Sequence, residues 1–92
     1  MQIEFDPAKD ARNRKKHGLS LEFSAKLDWG AMLAESDDSQ DYGEDRWLGI
    51  APEGGNLYFV VFTVIDEETM RIISLRLATN SEVRRYETQG RK

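Results

Sequence analysis

The chain has 92 residues, 39% of them hydrophobic and 33% charged. That is one domain, 1–92, with a modest core and a large soluble surface; it excludes a disordered chain. Cysteine is absent and His17 is the single histidine, so disulfides, thiolate metal sites and a histidine-built zinc site fall away, and no metal or other cofactor is expected. The polar stretch from Met1 to Asp10 contains no apolar signal segment. The longest apolar run, Leu57 to Ile65, is far shorter than a membrane span. A cytoplasmic protein with no membrane association is the expectation.

The net charge is −4, but its distribution is uneven. Met1 to Ser20 carries five basic and three acidic residues. Asp28 to Asp45 carries seven acidic residues and no basic one, and Arg71 to Lys92 carries six basic and two acidic. Basic ends thus flank an acidic middle, and a local positive field can attract an anion where the net charge would not.

In chain order, Ile3 and Phe5 alternate with polar residues and predict a short strand. Asp6 is placed to cap a helix that starts at Pro7, where the missing N–H has no helical partner to lose. That helix runs through Lys16 and ends at Gly18, with Lys9, Arg12, Arg14, Lys15 and Lys16 making its exposed side basic. Ser20 caps a second, shorter helix reaching about Asp28, with Leu21, Phe23, Ala25 and Leu27 as its apolar side. Trp29-Gly30 ends it. Ala31 to Glu35 is a candidate strand and Ser36 to Asp45 an acidic loop. Arg46 to Ala51 and Leu57 to Ile65 read as strands joined by the turn residues Pro52 to Asn56. Arg71 to Ala78 is the last strand. Its alternation predicts Ile73, Leu75 and Leu77 in the core, with Ile72, Ser74, Arg76 and Ala78 opposite. Thr79-Asn80-Ser81-Glu82 is a capping box and predicts a C-terminal helix. The expected fold is α+β: two N-terminal helices, an antiparallel sheet of about four strands and a closing helix.

No phosphate-binding glycine loop or nucleophile motif is present. Asp37, Asp38, Asp41 and Asp45 match a calcium loop only loosely and read as solvated. What remains is a cationic set. Metal-independent RNA cleavage needs a base for the 2′-hydroxyl, an acid for the leaving oxygen and cations for the phosphate. Arg76, Arg84 and Arg85 lie close across the strand–helix junction, and the arginine fork suits phosphate oxygens. Glu82 and Tyr86, four apart, share a helix side. Plainer roles stand beside these. Glu82 serves the capping box, Arg76 pairs a carboxylate, Tyr86 anchors the helix, His17 closes a helix C-terminus and Trp47 joins the core.

The ordered pieces Asp6-Pro7-Ala8-Lys9, Asn13, Lys16-His17-Gly18, Arg46-Trp47, Val60-Val61-Phe62-Thr63, Arg71-Ile72-Ile73-Ser74, Arg76, Ala78, Glu82 and Tyr86 cover nearly the whole chain. In this order the sequence resembles the BrnT toxin family. The resemblance implies a RelE-like fold and a ribonuclease toxin that arrests growth by cutting cellular RNA. It also implies a BrnA-like ribbon-helix-helix antitoxin that neutralises the toxin, with operator DNA contacted only through that antitoxin. The chain departs from the family pattern at four places. Val64, Ile65 and Asp66 follow Thr63 where an Arg is common, Phe62 replaces a Tyr, Leu75 replaces a small residue, and Asn80 and Ser81 replace basic residues. The expected catalytic residues are Arg76, Glu82 and Tyr86. The expected RNA-binding residues are Lys16, His17, Arg46, Arg84 and Arg85. The competing readings are a weak or inactive toxin homologue acting as an antitoxin-binding module in operon repression, and a bare scaffold.

Overall fold

The computed structural model describes residues 1–39 and 41–90. Strand β1 (Gln2–Glu4) leads into helix α1 (Pro7–His17). The helix starts where expected: the Asp6 carboxylate accepts the Ala8 N–H at 2.9 Å, and Pro7 occupies the first turn. It ends at Gly18, whose φ of 75° is the left-handed closure that glycine adopts without a Cβ clash. Its only buried residues are polar, Asp10 and Asn13. The Asp10 carboxylate accepts the Leu21 N–H (2.7 Å) and the Ser20 hydroxyl (3.0 Å). The Asn13 amide donates to the carbonyls of Leu19 and Leu75 and accepts the Leu75 N–H. This helix is therefore docked by two directional polar anchors rather than by an apolar stripe.

The expected second α-helix is a 3₁₀ turn, Leu21–Lys26, followed by another, Trp29–Ala31. Ser20 caps the first as predicted, through the Glu22 N–H. The Leu27 N–H then bonds the Ser24 carbonyl, three residues back, and Leu27 itself is extended. The tighter winding still buries Leu21, Ser24 and Leu27.

Four further strands follow: β2 (Leu33–Asp37), β3 (Arg46–Glu53), β4 (Asn56–Val64) and β5 (Thr69–Leu77). Among the described residues the sheet has five strands in the order β1-β5-β4-β3-β2 and is mixed, because β1 pairs parallel with β5. That corrects the antiparallel sheet of about four strands. The pairing of the first and last strands joins residues 67 apart (Gln2↔Thr69) and has no local signature. Strand β2 begins two residues later than predicted and takes Ser36 and Asp37 from the expected loop; Gln40, within that loop, lies outside the described residues. Strands β3 and β4 form a two-residue hairpin. Gly54 and Gly55 both have positive φ (56° and 84°), the geometry whose twist matches the flanking strands.

The main core lies on the sheet face that carries Ala51, Tyr58, Val60, Phe62, Ile72 and Leu75, roofed by Leu21 and Leu27. Leu75 is in the core and Arg76 on the opposite face, as expected. Ile72 replaces Ile73, however, because the β4–β5 register slips at Val61/Phe62: Val61 pairs with Ser74 and Phe62 with Ile72. This bulge inserts Ile73 as an unpaired residue and reverses the alternation before it. Leu77, at the strand end, is 57% exposed. The opposite face carries Ile50, Phe59, Val61 and Arg76. The closing helix α2 (Asn80–Arg85) and the π turn Tyr86–Gly90 fold back from the end of β5 as far as Ala31 and Glu35 of the β2 end.

Candidate ribonuclease site

The capping box that starts α2 is complete. The Thr79 hydroxyl accepts the Glu82 N–H at 3.3 Å, and the Glu82 carboxylate accepts the Thr79 N–H at 2.8 Å. The same carboxylate takes a two-pronged bond from Arg76, Nη1 to Oε1 at 2.8 Å and Nη2 to Oε2 at 3.0 Å. The Arg76 guanidinium also lies 4.2 Å above the centre of the Phe59 ring, its cross-strand partner. Arg76 is thus held in one orientation by a fork and a ring face. The Arg76 guanidinium, with help from the Thr79 N–H, holds the Glu82 carboxyl below the ordinary range, so Glu82 is an acceptor at neutral pH.

The expected site residues separate into groups. Lys16 and His17, at the end of α1, line a hollow of about 420 Å³ together with Arg76, Tyr58 and Leu77. These four, Lys16, His17, Arg76 and Glu82, form one neighbourhood. The Tyr86 hydroxyl points away from it, donating to the Ala31 carbonyl at 2.7 Å. Ala31 ends the 3₁₀ turn just before β2, the edge strand that stands three places from β5 in the sheet order. Arg85 goes the same way and meets Glu35 of β2 at 3.4 Å. Arg84 is exposed and has no ion pair among the described residues. Arg46 sits at the other end of the sheet, paired with Glu44 at 3.2 Å and stacked 3.9 Å from the Tyr42 ring. Trp47 packs against the core, as its plainer reading had it.

Other residues were not singled out as site residues from sequence. Lys9, Arg12 and Ser74 line a second hollow of about 290 Å³ with Lys16 and His17. The 9–12–16 spacing, which places these cations on one side of α1, was the available signal. Among the described residues no cluster of three or more metal-ligating side chains occurs. No helix among them is long and apolar enough to cross a membrane.

A family described as "Ribonuclease toxin, BrnT, of type II toxin-antitoxin system" matches residues 5–82. The chain belongs to the BrnT toxin family. The crystal structure of the Brucella abortus ribonuclease toxin BrnT is similar, with a TM-score of 0.58 and 26% identity over 87% of this chain and 99% of that one. No curated protein matches. The BrnT match includes Lys16, His17, Arg46, Arg76 and Glu82; Arg84, Arg85 and Tyr86 lie beyond it. Membership in this family makes the protein a type II toxin with an antitoxin partner.

Proposed function

We propose that this BrnT-family chain, on a RelE-like frame, is a metal-independent endoribonuclease of the cytoplasm that cuts cellular RNA. A BrnA-like ribbon-helix-helix antitoxin neutralises it, and operator DNA is reached only through that antitoxin. The observation that carries the reading is the Arg76–Glu82 pair beside Lys16 and His17. Arg76 presents a planar fork already oriented by Phe59. A phosphate exchanges for the Glu82 carboxylate on that fork, since both are two-pronged oxygen acceptors. Glu82, relieved of its counter-ion, becomes more basic and accepts the 2′-hydroxyl proton. The 2′-oxygen bonds to phosphorus as the bond to the 5′-oxygen breaks, the leaving 5′-oxygen takes a proton from water, and Arg76 faces the charge that grows on the phosphate. Lys16 and His17 bind the strand at the edge of the same hollow. Arg84 and Arg46 contribute field or peripheral contacts, and Tyr86 and Arg85 set the position of α2.

The test is Arg76→Ala. Loss of a preorganised charge stabiliser lowers the cleavage rate by about a hundredfold or more. The variant should relieve growth arrest on induction while still folding and binding the antitoxin. A folded Arg76→Ala protein as toxic as wild type would place the chemistry elsewhere. One observation favours the second reading, an antitoxin-binding module: the Arg76 charge is already answered by Glu82. Wild type that neither arrests growth nor cuts RNA, yet binds its antitoxin, would establish that reading.

A further inference from the structure

Five basic side chains among the described residues meet a carboxylate within ion-pair distance: Arg14, Arg46, Arg71, Arg76 and Arg85. Lys9, Arg12 and Lys16 do not. They stand at i, i+3 and i+7 of α1, a row about 10 Å long at 1.5 Å per residue. The row lines the 290 Å³ hollow with His17 and Ser74. Lys16 and His17 also line the 420 Å³ hollow that holds Arg76. The two hollows therefore adjoin at Lys16 and His17: a trough along α1, and beside it the hollow that holds Arg76.

Helix stability does not account for this row. The C-terminal end of a helix favours Lys16 and His17, but Lys9 is at the third helical position, where the positive end of the macrodipole disfavours a cation. Neighbours at 9/12 and 12/16 are like-charged and repel. Packing does not account for it either, since Arg12 and Lys16 are exposed and Lys9 is half-buried. The one acid on the helix, Asp10, is turned to Ser20, Leu21 and Arg14 and leaves the trough positive.

We propose that the Lys9–Arg12–Lys16 side of α1, with the Ser74 hydroxyl, is a track for the backbone of single-stranded RNA, gripping phosphates that flank the one presented to Arg76. The proposal rests on the ribonuclease reading and adds where the substrate lies. Neither hollow presents an exposed aromatic platform besides His17, so binding is through phosphates and tolerant of sequence.

The experiment measures binding of two unrelated 2′-O-methyl RNA oligonucleotides, which cannot be cut, across a salt series, with cleavage of ordinary RNA in parallel. Lys9→Gln/Arg12→Gln should weaken binding about tenfold or more on both sequences. It should flatten the log K against log salt slope by about 1.4, or roughly 0.7 for each phosphate that is no longer neutralised. Arg12→Gln alone should flatten it by about 0.7. A charge-matched control, Lys15→Gln/Lys26→Gln, removes two cations outside the trough and should leave affinity and slope near wild type. An equal loss in the control, or an unchanged slope in Lys9→Gln/Arg12→Gln, overturns the track while the nuclease stands. Retained RNA binding with lost antitoxin binding overturns it and gives this side of α1 to the antitoxin. Wild type that neither binds nor cuts RNA overturns the track and the ribonuclease reading together.

Discussion

Asn13→Ala should be among the most damaging single changes in the protein. Asn13 is 5% exposed and its amide makes three hydrogen bonds: two donated, to Leu19 and Leu75 carbonyls at 2.9 and 2.8 Å, and one accepted from the Leu75 N–H at 3.0 Å. In effect it pairs with β5 as a strand would, 62 residues away in sequence. Each bond contributes about 0.5–1.5 kcal/mol net, and the Leu75 peptide is left buried without partners, so the loss is about 3 kcal/mol. Against a total of about 5–15 kcal/mol that is a large fraction. For a domain of this size it lowers Tm by roughly 12–24 °C, at about 4–8 °C per kcal/mol. Because α1 buries no apolar side chain, only the Asp10 anchor to Ser20 and Leu21 is left to hold the helix. Asn13→Asp should be no better at neutral pH, since it keeps the acceptor but aims a charge at two carbonyl oxygens. Thermal melts monitored by circular dichroism, with urea melts for the free energy, decide the matter. An Asn13→Ala protein melting within about 3 °C of wild type would show that α1 is held by something other than this anchor.

Glu82→Gln should cost about 1 kcal/mol at neutral pH, the scale of a partly exposed ion pair. Because Arg76 and the Thr79 N–H depress the folded-state value of Glu82 below the ordinary 4.5, its contribution is full above that value and disappears as pH falls through the depressed one. Urea melts of the two proteins should therefore differ near pH 7, and the gap should shrink as the pH is lowered below 4.5; a constant gap would mean the pair is not the source. Tyr86→Phe removes the bond to the Ala31 carbonyl and should lower stability by about 1 kcal/mol. It should leave RNA cleavage near wild type, whereas a roughly hundredfold slower enzyme with an unchanged melt would put a catalytic proton on Tyr86.

The features legible in the sequence are those written within a few residues. Asp6-Pro7 and Gly18 bound α1, Gly54-Gly55 makes the hairpin, and Thr79 with Glu82 makes the capping box, because each signal is a side chain or a φ angle acting on its neighbours. What escaped depends on partners far along the chain. Ile73 reads as core by alternation until Val61 and Phe62 impose a bulge on the β4–β5 pairing. The parallel β1–β5 ladder requires the first and last strands to meet. Nearness of Arg76 to Glu82 followed from the short connection, as did their separate plainer roles as ion-pair partner and cap. The fold puts both roles on one carboxylate, that of Glu82. Arg85 was grouped with Arg76 by its closeness across the strand–helix junction, but it turns to Glu35 of β2, and Arg46 at the start of β3 pairs with Glu44.

That double duty of Glu82 bears on how Arg76 can be both held and available. A carboxylate bound only to Arg76 would lose its one partner when a phosphate took the guanidinium, and a buried charge would resist the exchange. Here the Glu82 Oε1 atom also accepts the Thr79 N–H, and the Thr79 hydroxyl caps the helix independently. Releasing Arg76 therefore leaves α2 capped and Glu82 still hydrogen-bonded, while Phe59 continues to hold the guanidinium plane. The exchange replaces one two-pronged acceptor by another without dismantling the helix. It also leaves the base 2.8 Å from the Thr79 amide that fixes its position. An arginine parked on a carboxylate with its own second anchor is thus preorganised for phosphate, and the pair that stabilises the junction is the pair that the chemistry uses.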